Sequence, residues 1–359
     1  MSTIGECRRR RGMLLPLVMV AMLLLLCMSV ALQQVAWRSA RSARTQWDSY
    51  RGLYAADAAI VRAVAEWRGD SMAIIPLGTR LEWDEPDADG WTTRVSLART
   101  GTLAVVAHAR AQRDRDRFRR GEGRVGDATR IDRTVTRALS LDPPSLPLLA
   151  SVTLLGPGTL GSATVDGRDR LFAVDPARDD CGPLRDSASV PALAAATVIM
   201  RDAPTLFGAT TTIPVGDITA YGARFDNGFA KVVARAQPLA LTTLGSLPTV
   251  RWWRASVITG GTSVTMEGSS RYVGLLAVDG DLIVRGSLEL DGLLVVRGAV
   301  DVSAGTLILR GALVARDANV RGSSLGAGVS ISYRPCLVGR ALVAVATPRS
   351  VPFGVWNSP

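Results

Sequence analysis

Residues 13–32, MLLPLVMVAMLLLLCMSVAL, carry no charge. At about 1.5 Å of rise per residue, such a run crosses a hydrocarbon core roughly 30 Å thick. Polar residues return at Gln33, yet from there to Trp67 the chain has no proline and a single glycine, Gly52. Apolar positions recur at helical spacing: Leu53, Ala56, Ile60, Val64 and Trp67 share one stripe, with Arg51, Asp57, Arg62 and Glu66 mostly off it. The pattern predicts one long helix. Its first part, 13–35, lies in a bilayer, and its continuation, 36–68, packs an apolar face on the exported chain downstream of it.

The period then changes from helical to alternating. Residues 91–111 read as a hairpin, TTRVSLAR and TLAVVAHARA about a turn at Thr100-Gly101, and 128–141, ATRIDRTVTRALSL, as a third strand. Between them lies RDRDRFRRGEGRVGD, whose plain reading is a solvated loop and whose sharper reading is contact with an acidic partner or anionic surface polymer.

Asp142-Pro143-Pro144 and Pro147 mark a boundary. Beyond it, short apolar runs alternate with Gly, Asp and Ser, and the chain repeats itself. GLLAVDG begins at Gly274, GLLVVRG at Gly292 and GALVARD at Gly311, offsets of 18 and 19 residues. In the same frame Leu282 and Val284 map onto Val300 and Val302, as stacked inward residues of a parallel coil would. Thr306 to Leu309 and Ser330 to Tyr333 supply further strand pieces. From about Asp180 to Ser270 the pattern is much less recognisable.

Composition narrows the functional classes. The net charge of +10 comes almost wholly from arginine, since Lys231 is the sole lysine. That charge is spread along the chain without interleaved aromatics, which argues against nucleic acid as a partner. Of the four cysteines, Cys7 and Cys27 fall in the leader and apolar segment. Cys181 and Cys336 fall in the exported part, where an oxidising compartment favours a disulfide; two buried thiols are the alternative. Their spacing suits no zinc knuckle, and the single histidine, His108, makes a poor metal partner.

Four arginines, Arg8 to Arg11, precede the apolar run and hold that end in the cytoplasm. Leu26 before Cys27 does not fit a lipoprotein signal. Ser29-Val30-Ala31 fits a secretory cleavage site passably, but the apolar run exceeds a usual signal core. A third reading is a prepilin leader, in which a short basic head ends in glycine directly before the apolar helix, as Arg11-Gly12-Met13 does. RRRRGMLLPLVMVAMLLLL followed by YRGLYAADAAIVRAV resembles the N-terminal region of type IV pilus PilX-type minor pilins and pseudopilins, the Tyr-Ala-Ala-acid-Ala segment being Tyr54 to Ala58. The resemblance implies cleavage after Gly12 by prepilin peptidase and N-methylation of Met13. Leu17 departs from the glutamate that most major pilins carry at this position, which points to a low-copy or priming subunit. Ser151 to Asp169 and Ile331 to Leu342, with Cys336, resemble the opening and closing segments of the exported β-solenoid found behind some PilX-type N-termini.

Parallel β-helices also include polysaccharide-cleaving enzymes. The available carboxylates are Asp279, Asp281, Asp291 and Asp301, and the cations Arg285, Arg297 and Arg316. In the coil frame Asp279 falls on Arg297 and then Arg316, and Asp281 on Ala299, so no column pairs two acids. Turn duty accounts for aspartate beside glycine.

The expected class is therefore α+β: a long N-terminal transmembrane helix with a small pilin-like antiparallel sheet, then a mainly-β right-handed parallel β-helix. The expected units are a 1–12 leader, a 13–35 span, a 36–68 helical continuation, 69–142 strands with the arginine-rich loop, a 143–345 β-helix-like domain and a 346–359 tail. The expected protein is single-pass in the bacterial inner membrane, with its bulk in the periplasm or at a pilus tip. It is not an enzyme and takes no cofactor. Its partners are other pilins and the assembly machinery, prepilin peptidase, membrane lipid and, in an alternative adhesin reading, surface glycans.

Overall fold

The computed structural model describes residues 6–67, 69, 73, 75, 78–86, 91–101, 103–113, 131–168, 189–241, 245–248, 253–317, 321–351 and 356–358. Helix α1 (Glu6–Ala65) runs without interruption for 60 residues and contains Pro16. It is long and apolar enough to cross a membrane, and from Leu15 to Trp47 every residue is exposed. Its last turns bury Gly52, Ala56, Ala59, Ile60 and Ala63. This stripe differs from the expected one: Leu53, Val64 and Trp67 are only half-buried, and the smaller residues face the core.

The reason lies in the sheet beneath. Strands β1 (Arg80–Pro86), β2 (Thr92–Gly101), β3 (Ala104–Arg113) and β4 (Ile131–Asp142) form an antiparallel meander. Strand β3 presents Ala107, Ala109 and Ala111, all fully buried, so alanine meets alanine and the helix axis comes close. A Cβ on Gly52 would lie 2.8 Å from the Trp91 ring. Ion pairs Arg62–Glu85 (3.1 Å) and Arg137–Asp57 tie α1 to the sheet, and Arg133 Nε donates to Ser49 Oγ at 2.6 Å. The hairpin forms as expected, with its reversal between Gly101 and Ala104. Strand β1, RLEWDEP, is an addition to the expected strands. Residues 114–130, with the arginine-rich loop and the start of the expected third strand, lie outside the described residues.

The second unit is a parallel sheet. Its strands are β5 (Val152–Leu160), β6 (Thr164–Asp166), β7 (Leu193–Met200), β8 (Thr205–Phe207), β9 (Thr212–Pro214), β10 (Gln237–Pro238), β11 (Arg254–Met266), β12 (Ser269–Val284), β13 (Ser287–Val296), β14 (Val300–Val302), β15 (Thr306–Ala315), β16 (Ser323–Leu325) and β17 (Val329–Ser332). The repeat read from the sequence is the register: Gly274 pairs with Gly292 and Gly292 with Gly311. Leu282 pairs with Val300, also as expected. The pairings β15–β13–β12–β14–β16–β5 close back on β15 as a ring of six parallel strands.

One column of paired residues runs the length of this unit: Pro238, Val257, Ala277, Val295, Val314, Thr153, Ala194 and Ile213. Its order is not the chain order. The run 152–214 continues in space from β15, although it precedes the run 237–332 in sequence. Helix α2 (Ile218–Val233) makes the return, capped by Asp217 Oδ1, which accepts from Ala220 N–H at 2.8 Å. The seven inter-strand steps of the column amount to roughly 34 Å. Sixteen helical residues supply about 24 Å of that, and the flanking residues the rest.

Leu276, Leu294 and Leu313 stack inside the parallel unit, while Leu275, Leu293 and Ala312 face outward beneath the helices; all are fully buried. Burial on both faces explains why GLLAVDG and GLLVVRG are continuous apolar runs without alternation. Helix α3 (Pro335–Val343) packs on β12, β13 and β15 and contributes Leu337, Val338 and Ala341 to the core that also contains α1 and the first sheet. The stretch expected as a tail returns to that sheet: β18 (Thr347–Ser350) and β19 (Trp356–Ser358) both pair antiparallel with β4. The parallel unit is thus inserted between β4 and β18, with entry and exit adjacent where Thr347 pairs with Asp142.

Candidate assembly surface

The part of α1 beyond the apolar span has two working faces. One is the buried stripe on the sheet. The opposite one exposes Trp47, Tyr50, Tyr54 and Val61, with Tyr54 74% exposed. At 100° per residue these four fall within about 60° of one another, facing away from Ala56 and Ile60. Aromatics standing in solvent at this density mark a contact surface more often than a free one. The sequence stripe identified the inward face; the outward one is defined only once the inward face is fixed.

Gly12 and Met13, the residues of the expected processing site, lie within α1. Leu17 is exposed, at 69%, on the apolar segment. Cys336, in α3, is disulfide-bonded, Cys27 is free, and Cys181 lies outside the described residues. His108 is half-buried on β3, its Nδ1 3.0 Å from Thr136 Oγ1. Among the described residues no group of three or more His, Cys, Asp or Glu side chains is placed to hold a metal.

The carboxylates of the parallel unit are engaged one by one. Asp279 pairs at 2.9 Å with Arg297, the residue it falls on in the repeat frame. Asp281 is buried, accepts from Ala299 N–H, directly before β14, at 2.9 Å and receives Arg321 Nη1 at 2.6 Å. Asp291 and Glu289 both hold Arg310. Asp301 accepts from Ser303 N–H at 3.0 Å within its own turn. Arg316 lies against α2, 3.7 Å from Asp226, and Arg285 is exposed in the turn after β12. Replacing Asp281 with alanine leaves the Ala299 N–H without its buried acceptor, so denaturant unfolding should show a loss of about 1–3 kcal/mol. Asp281→Asn keeps an acceptor oxygen and should lose less.

Where the two units join, Arg99 is buried on β2 and donates from Nη1 to the Ile75 carbonyl at 3.2 Å. Burial, and secondarily the nearby Arg340, push its guanidinium below the usual arginine range. Arg340, buried on α3, stands over the Trp253 ring at 5.4 Å.

No protein-family model matches the chain, and no curated protein matches it. Among solved structures it is similar to the competence-associated pilin ComZ from Thermus thermophilus, at 11% identity and a TM-score of 0.22 over 87% of this chain and 96% of that one. A score of that size fixes no common fold.

Proposed function

We propose that this chain is a minor pilin-like, PilX-like subunit of a type IV pilus, working by assembly and contact without a reaction of its own. The observation that carries this reading is the two-faced α1. One helix presents an apolar span, a buried stripe that holds the antiparallel sheet, and an exposed aromatic stripe available to neighbouring subunits. In this reading prepilin peptidase cuts after Gly12, Met13 becomes the methylated N-terminus, and the bulk is exported to the periplasmic side of the inner membrane. Leu17 leaves the subunit without the carboxylate that would pair with a neighbour's amine, which favours low copy number. The parallel unit is a right-handed β-helix projecting from the assembly, and Cys336 pairs with Cys181.

Mass spectrometry of the mature chain tests the processing: a methylated Met13 is expected, and a start at Leu32 overturns the reading. A photo-crosslinking residue in place of Tyr54 is expected to capture another pilin in cells. Substituting Trp47 and Tyr54 together by alanine is expected to lower the chain's abundance in sheared pili at least several-fold, with its membrane level unchanged. Equal incorporation of the double variant would remove the exposed stripe from the mechanism.

A further inference from the structure

Directly after the apolar span, α1 carries a cationic collar. Trp37, 78% exposed, is followed by Arg38, Arg41 and Arg44, all exposed and without an ion pair among the described residues. Trp37, Arg41 and Arg44 fall within about 60° of each other on the helix, with Arg38 flanking them at i+3 spacing to Arg41. No aspartate or glutamate occurs between residues 7 and 47. The first acid beyond the collar, Asp48, is already committed, 3.6 Å from Arg113. Three positive charges therefore stand on one helical segment with no carboxylate among the described residues paired to them.

Position supplies the partner. With 13–32 spanning the hydrocarbon, Trp37 lies about 7–8 Å beyond its edge, Arg38 about 9 Å and Arg41 about 14 Å. The headgroup layer is roughly 5–8 Å deep on each side. Helical side chains lean toward the N-terminus, which here is back toward the membrane, and arginine stems extend along apolar surface to place the guanidinium in the polar layer. Trp37 sits at the depth where indole rings concentrate in membrane proteins. Arg44 stays within about one Debye length of the surface.

We propose that Trp37, Arg38, Arg41 and Arg44 form a lipid-phosphate collar that binds anionic headgroups of the leaflet on the C-terminal side of the span. The guanidiniums hold phosphate oxygens by charge-assisted hydrogen bonds, and Trp37 fixes the depth of the helix. The collar fixes α1 along the bilayer normal and sets the height of the first sheet above the membrane. This contact holds while 13–32 spans the bilayer and does not require that the chain later enter a filament.

The test uses the full chain in phosphatidylcholine vesicles containing a trace of spin-labelled phosphatidylglycerol or spin-labelled phosphatidylcholine. The fraction of each lipid that is motionally restricted at the protein is measured. The parent chain is expected to prefer phosphatidylglycerol several-fold, with the excess screened at about 0.5 M salt. Because each arginine near an anionic surface contributes up to about fivefold, the R38Q/R41Q/R44Q variant is expected to lose at least about threefold of that preference. Arg8 to Arg11 act on the opposite leaflet and are unchanged in both chains. Glutamine is a good helix former and the collar is solvent-exposed, so circular dichroism should be the same in both. An unchanged preference in the triple variant overturns the proposal, as does a parent chain that does not distinguish the two lipids.

Discussion

Gly292→Val is expected to prevent the parallel unit from forming a stable stack. Gly274, Gly292 and Gly311 are paired in one column and have φ of 124°, 140° and 149°. Side chains rarely adopt that backbone, at a cost of about 1–3 kcal/mol each. Here there is no room either: a Cβ at Gly292 would stand 2.0 Å from the Gly274 carbonyl oxygen, and one at Gly311 1.6 Å from that of Gly292. The obstructing atoms are backbone, held by the ladder on both sides, so relief requires breaking the stack. A loss above about 4 kcal/mol is expected, read as loss of β signal in circular dichroism and rapid proteolysis between residues 254 and 332. Gly216, with open space around the position of a Cβ, is the matching control, and Gly216→Ala should be close to neutral.

Ile60→Ala is expected to loosen α1 from its sheet at a cost of about 2–5 kcal/mol. Ile60 is 1% exposed and is the one large side chain on the buried stripe of α1, whose other members are Gly52, Ala56, Ala59 and Ala63. The glycine and alanines beside it on α1 are too small to fill the cavity it would leave. Hydrogen exchange should show faster opening of amides 52–65 and of β3. The inner columns around Leu294 should keep their protection, because they belong to a separate apolar cluster. Equal loss of protection throughout would mean that the two units unfold as one.

These two variants probe different kinds of information in the sequence. The Gly292 register was legible because successive parallel strands repeat one motif: each poses the same steric problem at the same place, and glycine solves it each time. The inward partner of each apolar residue could be named from an offset of 18 or 19 residues, and Leu282 on Val300 and Asp279 on Arg297 both form. The Ile60 contact was legible only in part. Helical spacing identified a stripe, but its exact facing depends on how closely the sheet lets the helix approach, and that is set by alanines some fifty residues away.

Other features left no local signal. Strand β1 is too polar to read as a strand, since Trp83 is the only large apolar side chain in it that is not exposed. Helix α2 lies where no coil repeat occurs, and its role depends on the distance between two edges that are far apart in sequence. The exposed aromatic stripe of α1 and the basic collar behind Trp37 consist of ordinary residues, made conspicuous by their exposure and by the absence of a partner among the described residues.

By itself, the sequence determined an apolar span with basic residues ahead of it, a helix continuing beyond that span, a hairpin after the helix and a repeating parallel stack. All of these are set by periodicities of neighbouring residues and by the length of a membrane-crossing segment. Only the tertiary structure decided that the stack is assembled out of chain order, with 152–214 placed beyond 332. It also decided that the stretch after 346 closes the first sheet and that the two units share one core. Those outcomes depend on which unpaired strand edge lies within reach of which segment, and that distance is created by folding.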